Sequence, residues 1–287
     1  MISQSCLFNQ RGVTLLEAVV TLGILSILIA TMTPVGLRLL ETDRERTTEK
    51  KAEKIFRAIY GAPERGDFGY LGDMGRLPTA LTELSVQGGQ TAFHTADGAT
   101  DHLGKVGTGW RGPYLKGLSQ DELLKDAWGK DFSYTNTGSD AGKIISGGPD
   151  GNTGTAADNI VFPTNAPGTT GTLLVSLLVN RIPAPVGAVV RLYTVSNGEQ
   201  VLFGRITTSD TGFDGFFFHN VPQGLQVIRV GHIGLNSSVT PNVCVTVTRE
   251  VTVQVVANQQ VVKEVRMLTA ADAKGTGTDC LPIPSSL

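Results

Sequence analysis

The stretch RGVTLLEAVVTLGILSILIATMTPVGLRLL, Arg11 to Leu40, decides how the rest of the chain is read. From Val13 onward it is apolar for long enough to cross a bilayer, which takes roughly 20 residues. Residues 1–12 (MISQSCLFNQRG) are short and polar and end in Arg11-Gly12. A secretory signal would carry a small-residue cleavage site after the apolar run, and none follows. Cys6 has no apolar region before it, which excludes a lipoprotein signal. Glu17 breaks the apolar pattern. A carboxylate at the centre of a span costs about 2.5–3.5 kcal/mol, and even near the end of one it asks for a partner. Cleavage after Gly12 would create that partner. The new α-amine of Val13, largely protonated at neutral pH, could neutralise Glu17 of a neighbouring subunit. Arg11 and the leader are expected to stay cytoplasmic, with everything after the span outside.

These residues resemble the class III signal of type IV pilins and type II secretion pseudopilins. In that pattern a basic leader ends in Gly, an apolar residue follows, and Glu stands at mature position five. Gly12, Val13, Thr14 and Glu17 fit it, and Pro34 falls at mature position twenty-two, where many pilins carry a helix-kinking proline. Val13 departs from the usual Phe. The resemblance implies cleavage by prepilin peptidase between Gly12 and Val13, N-methylation of Val13, and assembly through Glu17 and the helix around Pro34. Proline removes one backbone donor from a helix, so a local melt at Pro34 is expected to let the helix lengthen or bend as subunits pack.

Beyond Leu40 the composition switches to ETDRERTTEKKAEKIFRAIY, dense in charges of both signs. Ala52, Ile55, Phe56 and Ile59 recur at helical spacing, which predicts that the helix continues out of the membrane with one face buried. The charges read as a solvated face, with interprotomer pairs as the other option. Composition narrows the rest. Charged residues make up 17% and the net charge is −2, which gives no support for a nucleic-acid surface. Hydrophobic residues at 40% are enough for a core, and 35 glycines point to many turns and hence to β structure.

Asp126-Ala-Trp-Gly with Phe132-Ser-Tyr134, then Ser146-Gly-Gly-Pro-Asp-Gly151, then Ala157-Asp-Asn-Ile160 are similar, in that order, to the head of the major type II secretion pseudopilin. Trp128, Phe132 and Tyr134 read as core packing, with a strand from Phe132 to Tyr134. The loop from Ser146 to Ile160 is rich in hard oxygen donors of the kind Ca²⁺ takes six to eight at a time. An EF-hand is excluded, because the twelfth position counted from Asp150 is Val161. The resemblance implies calcium at Asp150, Asp158 and Asn159. Asn159 replaces one of two adjacent acids usual in the family, and a metal-free Asx/Gly turn is the other reading.

The segment 163–171 (PTNAPGTTG) is a Pro/Gly/Thr linker. After it, strands are predicted at Thr172–Asn180, Gly187–Val195, Gln200–Thr208, Phe213–Asn220, Leu225–His232, Val243–Thr248, Val251–Ala257 and Val261–Leu268, which is a β-sandwich pattern. Turns are predicted at Asn197-Gly198, Asp210–Gly212 and Pro222–Gly224. PVGAVVRLY and TTSDTGFDGFFFHNVPQG resemble transthyretin-like, carboxypeptidase-regulatory-type modules. Phe216-Phe-Phe218 is expected to straddle both faces of its sheet, leaving one ring for a contact surface. Major pseudopilins end soon after the calcium loop, so this appended part is the chief departure from the family. Cys6 leaves with the leader. Cys244 and Cys280 would then remain as a pair in an oxidising compartment, able to pin the tail by a disulfide or to stay as two thiols.

The expected fold is therefore an α+β pilin fold, a long N-terminal transmembrane helix packed on a small β-sheet head, followed by an all-β sandwich. The segments are a leader (1–12), a transmembrane and assembly helix (13–40), a head (41–162), the linker (163–171), the sandwich (172–269) and a tail (270–287). No catalytic residues are identified. His94, His102, His219 and His232 show no metal spacing, and there is no GxSxG elbow. Two functions fit. The first is a structural subunit of a type II secretion pseudopilus or type IV pilus-like fibre in the bacterial inner membrane. Its partners would be copies of itself or other pilins, prepilin peptidase and the assembly machinery. The second is an anchored or tip-located binding module that uses the sandwich.

Overall fold

The computed structural model describes residues 14–95, 106–116, 122, 124–155, 157–179, 181–183, 187–207, 215–236 and 243–267. Gly12, Val13 and Cys280 lie outside these. A helix, α1, runs for 46 residues from Leu15 to Tyr60, about 70 Å at the usual rise. Thr14 starts it: in extended backbone, its side chain accepts a hydrogen bond from the Glu17 amide at 3.3 Å, satisfying one of the orphan donors of a helix N-terminus. Gly61 ends it at φ 72°, with its N–H donating to Arg57 O at 2.8 Å. The helix is unbroken at Pro34 in the single chain.

Two kinds of surface share α1. Along the first half apolar side chains are exposed, Leu15 at 84% and Ile27 at 67% among them. Along the second half Ala52, Ile55 and Ile59 are fully buried, as their spacing predicts. Among the described residues no helix is long and apolar enough to cross a membrane. The apolar run after Ala30 continues through residues 31–35, whose side chains lie outside the description.

The head packs on that buried stripe. It consists of a short helix, α2 (Gly69–Met74), and a three-stranded antiparallel sheet of β1 (Ser133–Tyr134), β2 (Ile144–Ser146) and β3 (Ile160–Phe162). Tyr70, Leu71, Met74, Leu84, Phe132 and Ile144 close its core against α1.

The C-terminal part is all β: β4 (Thr170–Val179), β5 (Ile182–Pro183), β6 (Val189–Ser196), β7 (Glu199–Thr207), β8 (Phe216–Pro222), β9 (Gly224–Asn236), β10 (Val243–Val255) and β11 (Gln260–Met267). One sheet has the order β10-β9-β6-β7, antiparallel throughout. In the other, β4 lies between parallel β11 and antiparallel β8 and β5. Strict alternation along β4 sends Leu173, Val175, Leu177 and Val179 inward, where they meet Val190, Leu192, Ile228 and Val230 of the facing sheet. Phe216 and Phe218 are buried and Phe217 is 48% exposed, so the run does straddle its sheet.

One predicted break is absent. Val243–Thr248 and Val251–Ala257 form a single strand, because Arg249-Glu250 stays in the ladder. Glu250 stands opposite Arg229 of β9 and accepts from its Nε and Nη2 at 3.0 and 2.7 Å, a cross-strand ion pair in the gap between the two predicted strands.

The head and the β part are in direct contact. The Asn197-Gly198 hairpin turn has positive φ at both residues, 51° and 81°, the geometry a two-residue hairpin needs. It docks on the end of α2, with Gly198 N donating to Met74 O at 3.0 Å. Buried Gln223 donates to Tyr60 O at 2.9 Å and accepts from Ala257 N at 3.3 Å. Gly75 and Gly224 allow the approach: a Cβ on Gly75 would fall 1.9 Å from Val195 O, and one on Gly224 would fall 3.2 Å from the Gly72 Cα.

Candidate functional site

Two places carry the sequence-predicted residues, the start of α1 and the loop between β2 and β3. At the start of α1, Glu17 is in the first turn and exposed. An acid there complements the helix dipole. The Glu17 carbonyl accepts from Thr21 Oγ1 at 2.5 Å. Its neighbours Leu16 and Val20 are also open, at 73% and 52%. The carboxylate thus stands within an uncovered apolar surface. The side chain of Pro34 lies outside the described residues.

The loop from Ser146 to Ile160 hangs on a residue that sequence reasoning read only as part of a motif. Asp126 is 3% exposed. It accepts from the Trp128 and Lys130 amides, both at 2.9 Å, and from Ser146 Oγ at 2.7 Å. Ser146 Oγ in turn accepts from Gly148 N at 3.1 Å. Asp126 therefore ties its own turn to the base of the loop. Its position two residues ahead of Trp-Gly is an Asx-turn signal. The partner at Ser146 lies 20 residues away and left no local trace.

Within the loop the predicted ligands behave differently. Asp150 faces solvent and closes its own turn. Its carboxylate accepts from Asn152 N at 2.7 Å and Thr155 Oγ1 at 2.8 Å, and these bonds, the backbone one foremost, hold it below the usual carboxylate range. Asp158 lies against Gly148. A Cβ there would fall 2.4 Å from Asp158 O and 3.2 Å from Asp158 Oδ2, and Gly148 has φ 63°. Asn159 donates from Nδ2 to Thr153 O at 2.9 Å, while its Oδ1 is buried without a partner. A buried acceptor left unmade costs about 1–3 kcal/mol, so this oxygen is open to a cation. Among the described residues no group of three His, Cys, Asp or Glu side chains converges on one point. Any ligand set must therefore draw on amide and backbone oxygens, which suits a hard cation.

Cys244 lies in β10 opposite Leu235, and its proposed partner Cys280 falls outside the described residues.

The head also holds a polar cluster that the sequence did not flag. Asp73, in α2, accepts from Arg111 Nε at 3.1 Å and Tyr114 Oη at 2.9 Å. Burial pushes its carboxyl up to about 6 despite Arg111 beside it. Glu83 accepts from Tyr70 Oη, from Thr79 and, at 2.9 Å, from Arg76 Nη1. Burial acts against its charged form, but these bonds prevail and hold it below its ordinary value. Asp73 and Glu83 thereby fasten the loops of the head.

A family model for type II secretion system protein G matches residues 73–162, and the prokaryotic N-terminal methylation motif matches residues 7–33. Both families are structural, not enzymatic. No curated protein matches the chain. Among solved structures, the crystal structure of a "putative carbohydrate binding protein" from Pseudomonas aeruginosa is 13% identical, over 34% of this chain and 90% of that one, with a TM-score of 0.25. At that TM-score the likeness carries no inference.

Proposed function

We propose, from the match of residues 7–33 to the N-terminal methylation motif and of residues 73–162 to type II secretion system protein G, that this chain is a pilin-like secretion subunit, cut after Gly12 and assembled through α1 into a type II secretion pseudopilus or related fibre. Val13 becomes the methylated N-terminus, and residues 13–40 lie in the inner membrane before assembly. The head and the β-sandwich are then periplasmic, or outside the cell within a filament. The observation that carries this reading is the division of α1. Its matched first half exposes Leu15, Leu16, Leu22, Ile27 and Ile29 at 64–84%, while one face of its last turns, at Ala52, Ile55 and Ile59, is buried in the head. Each such side chain gains about 1.5–3 kcal/mol when removed from water, so this half of the helix calls for lipid or for neighbouring copies of itself. Glu17 then serves as the charge that a neighbour's Val13 amine neutralises.

Calcium belongs to the same reading. Asp158 and Asn159 would hold it at the base of the loop, with Asp150 at its rim, and the ion would supply rigidity rather than chemistry.

Glu17→Ala tests assembly. The variant is expected to insert in the membrane at the normal level and to be missing from the sheared filament fraction. Wild-type amounts in that fraction would overturn the proposal.

A further inference from the structure

A cleft of about 700 Å³ opens between the last turns of α1 and the segment 111–116. Lys54, Arg57, Arg65, Arg111 and Lys116 line it against one carboxylate of the lining, Asp67. Two of the five cations are compensated. Arg57 pairs with Glu53 at 2.6 Å, and Arg111 pairs with Asp73 at 3.1 Å and reaches Asp67 at 3.8 Å. Lys54, Arg65 and Lys116 have no carboxylate within ion-pair distance among the described residues. Three uncompensated positive charges thus meet at one concavity of a chain whose net charge is −2.

The helix dipole explains cations in the last turns of α1. It does not explain Arg65 or Lys116, which come from other segments. Arg111 is also fixed in place: besides Asp73, its guanidinium lies 5.9 Å from the Phe93 ring centre, and its amide donates to Tyr114 Oη at 3.1 Å. A preset guanidinium flanked by the exposed ammonium groups of Lys54 and Lys116 is suited to receiving carboxylates.

We infer that this cleft docks an acidic stretch of another polypeptide. The volume is far beyond a single small ion, whereas an extended chain could set successive carboxylates against the separated cations. The partner is a different protein rather than a second copy. The acids of α1 from Glu41 to Glu53 are interleaved with Arg44, Arg46, Lys50 and Lys51, and elsewhere in the sequence no more than two acids stand together, at Asp121-Glu122, so a copy has no extended acidic run to offer.

The test uses the full chain in detergent and fluorescein-labelled hexaglutamate, with hexalysine as the opposite-charge probe. Hexaglutamate is expected to raise the anisotropy and hexalysine to leave it unchanged. Affinity should fall about tenfold or more in the exposed-residue variant Lys54→Glu/Lys116→Glu. It should be unchanged in Arg46→Glu, on the same helix outside the cleft, and should weaken several-fold between about 0.05 and about 0.3 M salt. Failure to bind hexaglutamate, or equal binding by the double variant, would overturn the inference. So would full displacement by equimolar inorganic phosphate, which would mark a small-oxyanion site. Self-association lost in the double variant but kept in Arg46→Glu, with hexaglutamate binding retained by the double variant, would likewise reassign the cleft to a second copy.

Discussion

At Gly75 a left-handed backbone and a close approach coincide: φ is 69°, and a Cβ would fall 1.9 Å from Val195 O. Gly88 has φ 56° and open space around it. Alanine at either position takes on a left-handed cost of about 1–2 kcal/mol, but only at Gly75 must the head also separate from the β part. Gly75→Ala is therefore expected to lower the thermal midpoint clearly more than Gly88→Ala, and equal shifts would mean that the interface contributes nothing. Asp73 makes a pH-dependent prediction. Its folded carboxyl is raised to about 6 by burial, above its unfolded value, so the folded state binds the proton more tightly. The associated stability is complete below about pH 4 and is lost as pH rises through about 6. Asp73→Asn should flatten that part of the stability profile in thermal melts between pH 4 and 7; an unchanged slope would assign it to another group. Residue-level legibility was uneven for a physical reason. Ala52, Ile55 and Ile59 announce themselves by spacing, because their partners share one helix face. Gln223 meets Tyr60 163 positions away, and nothing local marks it.

Among the elements, the β2–β3 loop is where a metal prediction belongs. Its base is already fixed by Asp126 and Ser146, and Asn159 Oδ1 is buried without a partner. Added calcium is expected to raise the melting midpoint of the full chain, a chelator to reverse the rise, and Asp158→Ala to abolish it. Asp150→Ala should have a smaller effect, since its carboxylate is engaged with Asn152 and Thr155. No calcium response in the wild type would leave the loop as a hydrogen-bonded turn. The strands show how far pattern reading reaches. The strand at β4 was legible from its apolar run between turn signals, but its faces were not, since Leu174 and Leu178 point outward beside the inward Leu173 and Leu177. At β10 the adjacent charges Arg249 and Glu250 read as a break, yet the strand continues, because Arg229 on the neighbouring strand supplies the counter-charge. An ion pair across strands is invisible to a window that moves along one of them.

On the scale of the whole molecule, the order of parts was legible, while the way the last two meet was not. The linker composition marked a boundary and left the placement of the β part open. The hairpin at Asn197-Gly198, the side chain of Gln223 and the close approach at Gly75 bind the β part to the head. Hence a filament built on α1 would carry the β part as a fixed projection at every subunit. All of this depends on α1 being released at its N-terminus to assemble. The N-terminal sequence and intact mass of the protein purified from its native membrane test that most directly. The account predicts a chain that begins at Val13, lacks residues 1–12 and carries one added methyl group on its amine. A chain that still begins at Met1 would contradict it.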